Sequence, residues 1–276
     1  MIDNETRKRL AEKSGDSNNS RPPKYTVPLI RFDGNRGEFR KITKNDNGEN
    51  VEVPISIPLE FVILKKRRLL SAFSPNKSYF TNEHNSTSDQ LMLFKVIEKT
   101  VSLDDIGYTD QLREKYQTLK THEVIYVLYD GEVCKMEIKG GSLSNYYDYQ
   151  KALQSEELHS FEVETVVGSE KVKNDQGFSY FRLTFDHKEF DGDFSLVEKK
   201  IDEVVSACNE SDNYTKQKIA EKSKTNGTSS GTVNGLTPEQ IKSIKDARNA
   251  EIDQRKKAEE EFNNFNEDNG DSDIPF

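Results

Sequence analysis

Apolar and polar residues alternate along several short stretches of this chain, and a period of two marks a strand with one buried face. Val51, Val53, Ile55 and Ile57 alternate with Glu52, Pro54 and Ser56. Phe61-Val62-Ile63-Leu64 is a buried apolar run, and residues 91–97 form another candidate strand. Residues 124–129 and 133–138 flank Asp130-Gly131. Asp-Gly is favoured where both turn residues need positive φ, so a hairpin is predicted there. Residues 161–167 and 178–185 predict a second hairpin around the polar loop Asn174-Asp175-Gln176-Gly177, with Phe181, Leu183 and Phe185 on one face.

Helical spacing interrupts these strands. Residues 103–120 predict a helix with Asp104 and Asp105 near its start, and residues 143–158 predict another. Phe194, Val197, Ile201, Val204 and Val205 share a helical face that packs onto the sheet. From residue 209 to 235 the composition turns to Ser, Thr, Asn, Lys and Gly, which reads as a flexible linker. Thr237-Pro238-Glu239-Gln240 has the form of a helix start: a capping Thr, Pro at the first position and Gln to complete a capping box. Its stripe is thin, so the helix over residues 236–262 is expected to be exposed or to serve a partner or self-association. Residues 1–23 read as a disordered arm ending in Pro22-Pro23. The folded body is expected over residues 24–208, α+β in class and β-rich, as a small barrel or a curved antiparallel sheet with short helices.

Composition refines this picture. The 276 residues are 33% hydrophobic and 32% charged, enough for a core but not over the whole length. The net charge of −9 argues against a simple basic nucleic-acid binder, yet the charge is unevenly placed. Residues 259–276 carry seven Asp and Glu with no Lys or Arg, whereas residues 24–101 carry thirteen Lys and Arg against nine Asp and Glu. A mildly basic body with an acidic end is a pattern of nucleic-acid work. Cys134 and Cys208 form neither a disulfide framework nor a zinc site, and they suit a reducing cytoplasm. No signal peptide or membrane span is read, so a soluble cytoplasmic protein is expected. Walker, Gly-x-Gly-x-x-Gly and His-Glu-x-x-His motifs are absent, and His84, His122, His159 and His187 lack metal-ligand spacing. A non-enzyme without cofactor or metal is expected. The one acidic cluster, Asp186, Glu189, Asp191 and Asp193, could hold Mg²⁺ for nuclease chemistry but reads more simply as a polar turn.

The end of the chain is distinctive: Glu267-Asp268-Asn269-Gly270-Asp271-Ser272-Asp273-Ile274-Pro275-Phe276. Phe276 offers a ring and a carboxylate at one point, suited to a pocket with an apolar floor and a cation at its mouth. Pro275 lowers the ordering cost of docking, and Asp271 and Asp273 attract a basic partner. This segment resembles the tip of bacterial-type single-stranded-DNA-binding proteins, which is Asp-rich and closes on Ile-Pro-Phe or Leu-Pro-Phe. The resemblance covers roughly the last ten residues. It implies partner recruitment through Asp271, Asp273, Ile274, Pro275 and Phe276, with replication and repair enzymes as partners. It also implies an upstream oligonucleotide-binding (OB) barrel that coats and protects single strands during replication, recombination or repair. The body is longer than that family's compact barrel, which puts its tetrameric assembly in doubt and points to a divergent phage- or plasmid-encoded version. The alternatives are a nuclease or adaptor of DNA metabolism with the same tip, or a protein that mimics the tip.

A sequence-tolerant single-strand binder needs cations along the backbone path and rings for base stacking. With no Trp in the chain, Phe and Tyr must stack. Lys65-Lys66-Arg67-Arg68 follows a buried strand and precedes Phe73, Lys77, Tyr79 and Phe80; it is expected at the mouth of a groove. The competing reading is a solvated strand end with Phe73 and Phe80 in the core. Tyr146, Tyr147 and Tyr149, near Lys139 and Lys151, form a second candidate, with half of the cluster packed inward as the alternative. Arg31, Arg36, Arg40 and Lys41 flank Phe32 and Phe39 near Gly34 and Gly37, a third candidate. The charge asymmetry further predicts that the acidic tail competes with DNA for the basic body. Removing residues 267–276 should therefore tighten binding of an oligonucleotide at low salt, measured by anisotropy; unchanged affinity would contradict it.

Overall fold

The computed structural model describes residues 27–226 apart from Asp46, Pro75 and Asp175. The chain divides at Lys222 into two units, and the sites discussed below lie in the first. The described elements run β1 (Leu29–Asp33), β2 (Glu38–Lys44), β3 (Asn50–Ile55), β4 (Leu59–Phe73), β5 (Ser78–Thr81), β6 (Gln90–Ile97), β7 (Thr100–Tyr108), α1 (Thr109–Lys115), β8 (Lys120–Tyr129), β9 (Glu132–Ile138), α2 (Ser142–Ser155), β10 (Val163–Lys173), β11 (Ser179–Glu189) and α3 (Phe194–Asn226). The fold is α+β and strand-rich. Its open sheet follows the order β3-β2-β1-β9-β8-β4-β5-β6-β7. The sheet is mixed, because β1 runs parallel to β9 while the other pairs are antiparallel.

β4 organises the sheet. Its 15 residues span about 50 Å at roughly 3.3 Å per residue. β8 lines one side, while the other side pairs first with β10 (Phe61 against Thr165) and later with β5 (Ser71 against Phe80). A bulge interrupts the β8 register: Ile63 faces Val127, but Lys65 faces Tyr126, so Leu64 is the extra residue. Because opposed residues share a face, the bulge inverts which residues of β4 point to which side. Before it, Leu59, Phe61 and Ile63 join the core that includes Tyr146, Tyr149 and Leu153 of α2. After it, Lys65, Arg67 and Leu69 stand with Tyr126, Val124 and His122 on the face covered by α3.

α3 lies along that second face. Val197, Val204 and Cys208 pack on Val62, Leu64, Leu69, Val124 and Tyr126, and Ile219 reaches Met92 and Phe94 of β6. Between Cys208 and Ile219 the inward positions are Asp212 and Thr215. Asp212 grips Arg67 in a two-point ion pair, Nη2 to Oδ1 at 2.5 Å and Nη1 to Oδ2 at 3.2 Å. Thr215 is 4% exposed and donates its hydroxyl to the Ser211 carbonyl. These polar residues in a buried stripe explain why residues 209–226, expected as linker, continue the helix. Residues 1–23, 227–235, 236–262 and 263–276, expected as arm, linker, helix and acidic tail, lie outside the described residues.

The helix expected over residues 103–120 is corrected more sharply. β7 continues to Tyr108, and α1 occupies only Thr109–Lys115. Asp104 and Asp105 do not start a helix; they accept bonds from the Tyr116 hydroxyl and the Lys115 ammonium, both at or beyond the end of α1. The Asp130-Gly131 hairpin forms as predicted, with φ of 51° and 73°. The second predicted hairpin is β10–β11. Both its strands meet the β1–β2 turn: the Phe181 amide of β11 donates to the Gly34 carbonyl at 2.7 Å, and the Ser169 hydroxyl of β10 to the Gly37 carbonyl at 3.2 Å. No helix among the described residues is long and apolar enough to cross a membrane.

Breaking a buried ion pair from one side strands the other charge and costs about 3–5 kcal/mol. Asp212→Ala is expected to lower stability by about 3 kcal/mol in urea unfolding. Lys218→Ala, which breaks the more exposed pair with Glu221, should change it by less than about 1 kcal/mol.

Candidate nucleic-acid interface

The Lys65–Arg68 cluster does not sit at a groove mouth as expected. It lies in the middle of β4, and strand alternation sends Lys65 and Arg67 to the α3 side and Lys66 and Arg68 to the α2 side. Arg67 is 2% exposed, and both its Nη atoms are engaged, with Asp212 and the Glu83 carbonyl. Burial opposes its charge, but the Asp212 carboxylate outweighs burial and raises its pKa. Glu83 also accepts from Tyr126 and Lys135, so this polar knot holds α3, β4, β8 and β9 together. Arg68 donates to Glu123 at 2.7 Å, and Lys66 donates to Gln150 at 2.6 Å. Arg67 is thus removed from the DNA-contact set, and Arg68 is occupied by a buried carboxylate.

The tyrosine cluster divides in the same way. Tyr146 and Tyr149 are 1% and 5% exposed and pack on Phe185, with the Tyr149 hydroxyl bonded to Thr165. They are core residues, not stacking platforms, because α2 turns that face toward β11. Tyr147 points outward, yet its hydroxyl donates to Glu123, and burial together with that bond pushes its pKa up to about 12. Phe80 also belongs to the interior, stacked on Phe94 at 5.3 Å. Tyr79 packs against Tyr116 and carries the Lys77 ammonium over its ring at 5.5 Å. Phe73, in contrast, is 73% exposed at the β4–β5 turn.

The third candidate comes together in space. Arg31, Arg36 and Arg40 line a cleft of about 480 Å³ with Phe32, Asp33, Gly34, Glu52 and Lys139. Arg31 and Arg40 are directly opposed across β1 and β2, a like-charge pairing that sheets disfavour. Glu52 stands between them, 3.6 Å from Arg31 and 3.3 Å from Arg40. Arg36 lies 3.8 Å from Asp33 and is 64% exposed. Gly37 has φ of 73°, and a Cβ there would meet the Phe181 ring at 2.7 Å. Glycine therefore lets β11 dock beside the cleft. Phe39 is fully buried and Lys41 is paired with Glu132, so these two fall outside the cleft.

The β10–β11 hairpin adds residues that sequence reasoning missed. Its tip is ordered by the Asn174 side chain, which accepts from the Gln176 and Phe178 amides. Phe178 is presented there at 68% exposure, with Lys171 and Lys173 exposed on the adjoining strand. The available signal was Phe178 itself, an apolar residue placed directly after the turn glycine. Lys171 opposes Phe181 across the hairpin, so it shares the face that meets the β1–β2 turn.

Other chemistry is structurally committed. Asp193 caps α3 through the Ser195 amide, and Asp186 accepts from the His187 amide. Among the described residues no group of three or more His, Cys, Asp or Glu is placed to hold a metal. Ser71, His122 and Glu137 form a hydroxyl–imidazole–carboxylate row, at 3.0 Å and 4.0 Å. Ser71 is 3% exposed and His122 5%, so this row is closed to a substrate.

No protein-family model, curated protein or solved structure matches this chain.

The cleft's electrostatics are directly testable. Glu52→Gln removes the carboxylate shared by Arg31 and Arg40 and leaves only Glu38, 3.6 Å from Arg40, beside the pair, so the variant should elute from heparin at higher salt than the parent. Equal elution would mean that these arginines do not reach a polyanion.

Proposed function

We propose that this protein binds single-stranded DNA. The backbone lies in the cleft of Arg31, Arg36, Arg40 and Lys139, and bases stack along the β10–β11 hairpin at Phe178. The observation that carries this reading is the opposed Arg31–Arg40 pair with Glu52 between its members. A phosphate carries the same charge as Glu52 and suits the planar guanidinium fork, so it can take the carboxylate's place. The net charge of −9 weakens any diffuse attraction, so binding rests on this local concentration of cations.

The contacts of Phe181 and Ser169 with the β1–β2 turn support reading the curved part of the sheet as an OB-like barrel, an architecture that takes oligonucleotides across its strands. Stacking on exposed rings is tolerant of sequence, as coating a strand requires. In this reading the protein protects single strands during replication, recombination or repair. Asp271, Asp273, Ile274, Pro275 and Phe276 recruit partner enzymes.

The test is fluorescence anisotropy of a labelled oligothymidine with full-length protein over a salt series, with a duplex of equal length as control. Binding should spare the duplex and weaken with salt by about −0.7 in log–log slope for each phosphate neutralised. Replacing Arg31 and Arg36 by Ala should make that slope shallower by about 0.7 for each phosphate no longer neutralised. Absence of binding at low salt, or equal affinity for the duplex, would refute the proposal.

A further inference from the structure

A second concavity lies away from the arginine cleft, where the C-terminal end of α2 passes over the β4 bulge. It encloses about 820 Å³, within the range of small-molecule sites. Ile63 and Leu153 contribute apolar surface, and Lys66 stands beside it on the α2 side of β4. His159 and Phe161 contribute a preassembled stack, ring centroids 5.3 Å apart and planes within 3° of parallel. Phe161 remains 39% exposed, so an aromatic face is open to a third ring.

Two polar features set what that ring should carry. The Gln150 carboxamide oxygen accepts from Lys66, but its buried Nε2 lacks a partner. A buried unpaired donor is costly and is satisfied by an acceptor such as a ring carbonyl. Glu157 is the second feature. α2 closes with the Leu158 amide bonded to the Leu153 carbonyl, which places Glu157 in the left-handed position with φ of 60°. Glycine is the usual residue at that position, so a glutamate there costs conformational energy while setting a carboxylate in the wall of the pocket. A flat ring bearing both a carbonyl acceptor and an N–H donor, with an attached phosphate for the Lys66 ammonium, is a nucleotide.

We propose that this pocket is a nucleobase subsite, in which one unpaired base stacks on Phe161, its carbonyl and N–H meet Gln150 and Glu157, and its phosphate meets Lys66. This inference rests on the single-stranded-DNA reading and extends it. β10 begins two residues after Phe161 and runs to the hairpin beside the arginine cleft, about 35 Å at roughly 3.3 Å per residue. The strand bound in the cleft would thus continue along β10 and place a base in the pocket.

The chain has no tryptophan, so one introduced ring reports its own site. Phe161→Trp, Phe178→Trp and Phe73→Trp are each titrated with oligothymidine, while anisotropy of a labelled oligonucleotide follows binding independently. The inference predicts quenched emission in Phe161→Trp and Phe178→Trp and unchanged emission in Phe73→Trp. It also predicts that Phe161→Ala weakens binding by about tenfold, the loss of one stacked base. If oligothymidine binds and quenches Phe178→Trp while Phe161→Trp emission is unchanged, the subsite is overturned and the main reading stands. If no oligonucleotide binds any of the proteins, both fail.

Discussion

A guanidinium that is 2% exposed must be satisfied where it lies, and the organisation of this protein follows from how Arg67 is satisfied. It sits on the longest strand, on the face that the Leu64 bulge assigns to α3. Its partner, Asp212, is four residues beyond the last apolar contact of α3 with the central core at Cys208. The helix must therefore continue past its apolar stretch to deliver the carboxylate, and it then reaches β6 through Ile219. One ion pair thus carries α3 from the central strands of the sheet across to β6. The Glu83 knot with Tyr126 and Lys135 ties β8 and β9 into the same arrangement.

The same constraint decides which cations are available to a ligand. Positive charge in the covered middle of β4, as at Arg67 and Arg68, is drawn to carboxylates, since an unpaired charge there is costly. Positive charge on the β1–β2 hairpin keeps its exposure. Arg31 and Arg36 are 59% and 64% exposed, and their counter-charges lie at 3.6 Å and 3.8 Å rather than in tight contact. The β1–β2 turn can hold such charge because the glycine at position 37 lets Phe181 approach and brace it. Rigid strands beneath and loosely compensated cations above make a surface suited to a flexible polyanion.

Much of this architecture was legible in the residues. The Asp130-Gly131 hairpin, the β10–β11 hairpin and the start of α3 follow from turn chemistry and periodicity. The failures have definite causes. Asp212 and Thr215 hid the rest of α3 by placing polar groups on its buried stripe. Asp104 and Asp105 imitated the start of a helix while serving as partners for Lys115 and Tyr116. The Lys65–Arg68 run looked like one patch because a linear reading cannot see that a strand deals successive residues to opposite faces. The bulge at Leu64, which sets that assignment, leaves no mark in the local sequence. The arginine cleft was partly visible as Arg31, Arg36 and Arg40 near two glycines. Lys139 and the hairpin residues join it only through pairings distant in sequence.

Amide hydrogen exchange of the full-length protein, with and without saturating oligothymidine, tests the central claim most directly. The account predicts slowed exchange over residues 31–40, 139–141 and 171–182, with Arg67 and Arg68 of β4 unchanged because they lie outside the cleft and are engaged by Asp212 and Glu123. Protection centred on residues 73–80, with the β1–β2 turn and the β10–β11 hairpin unaffected, would contradict it.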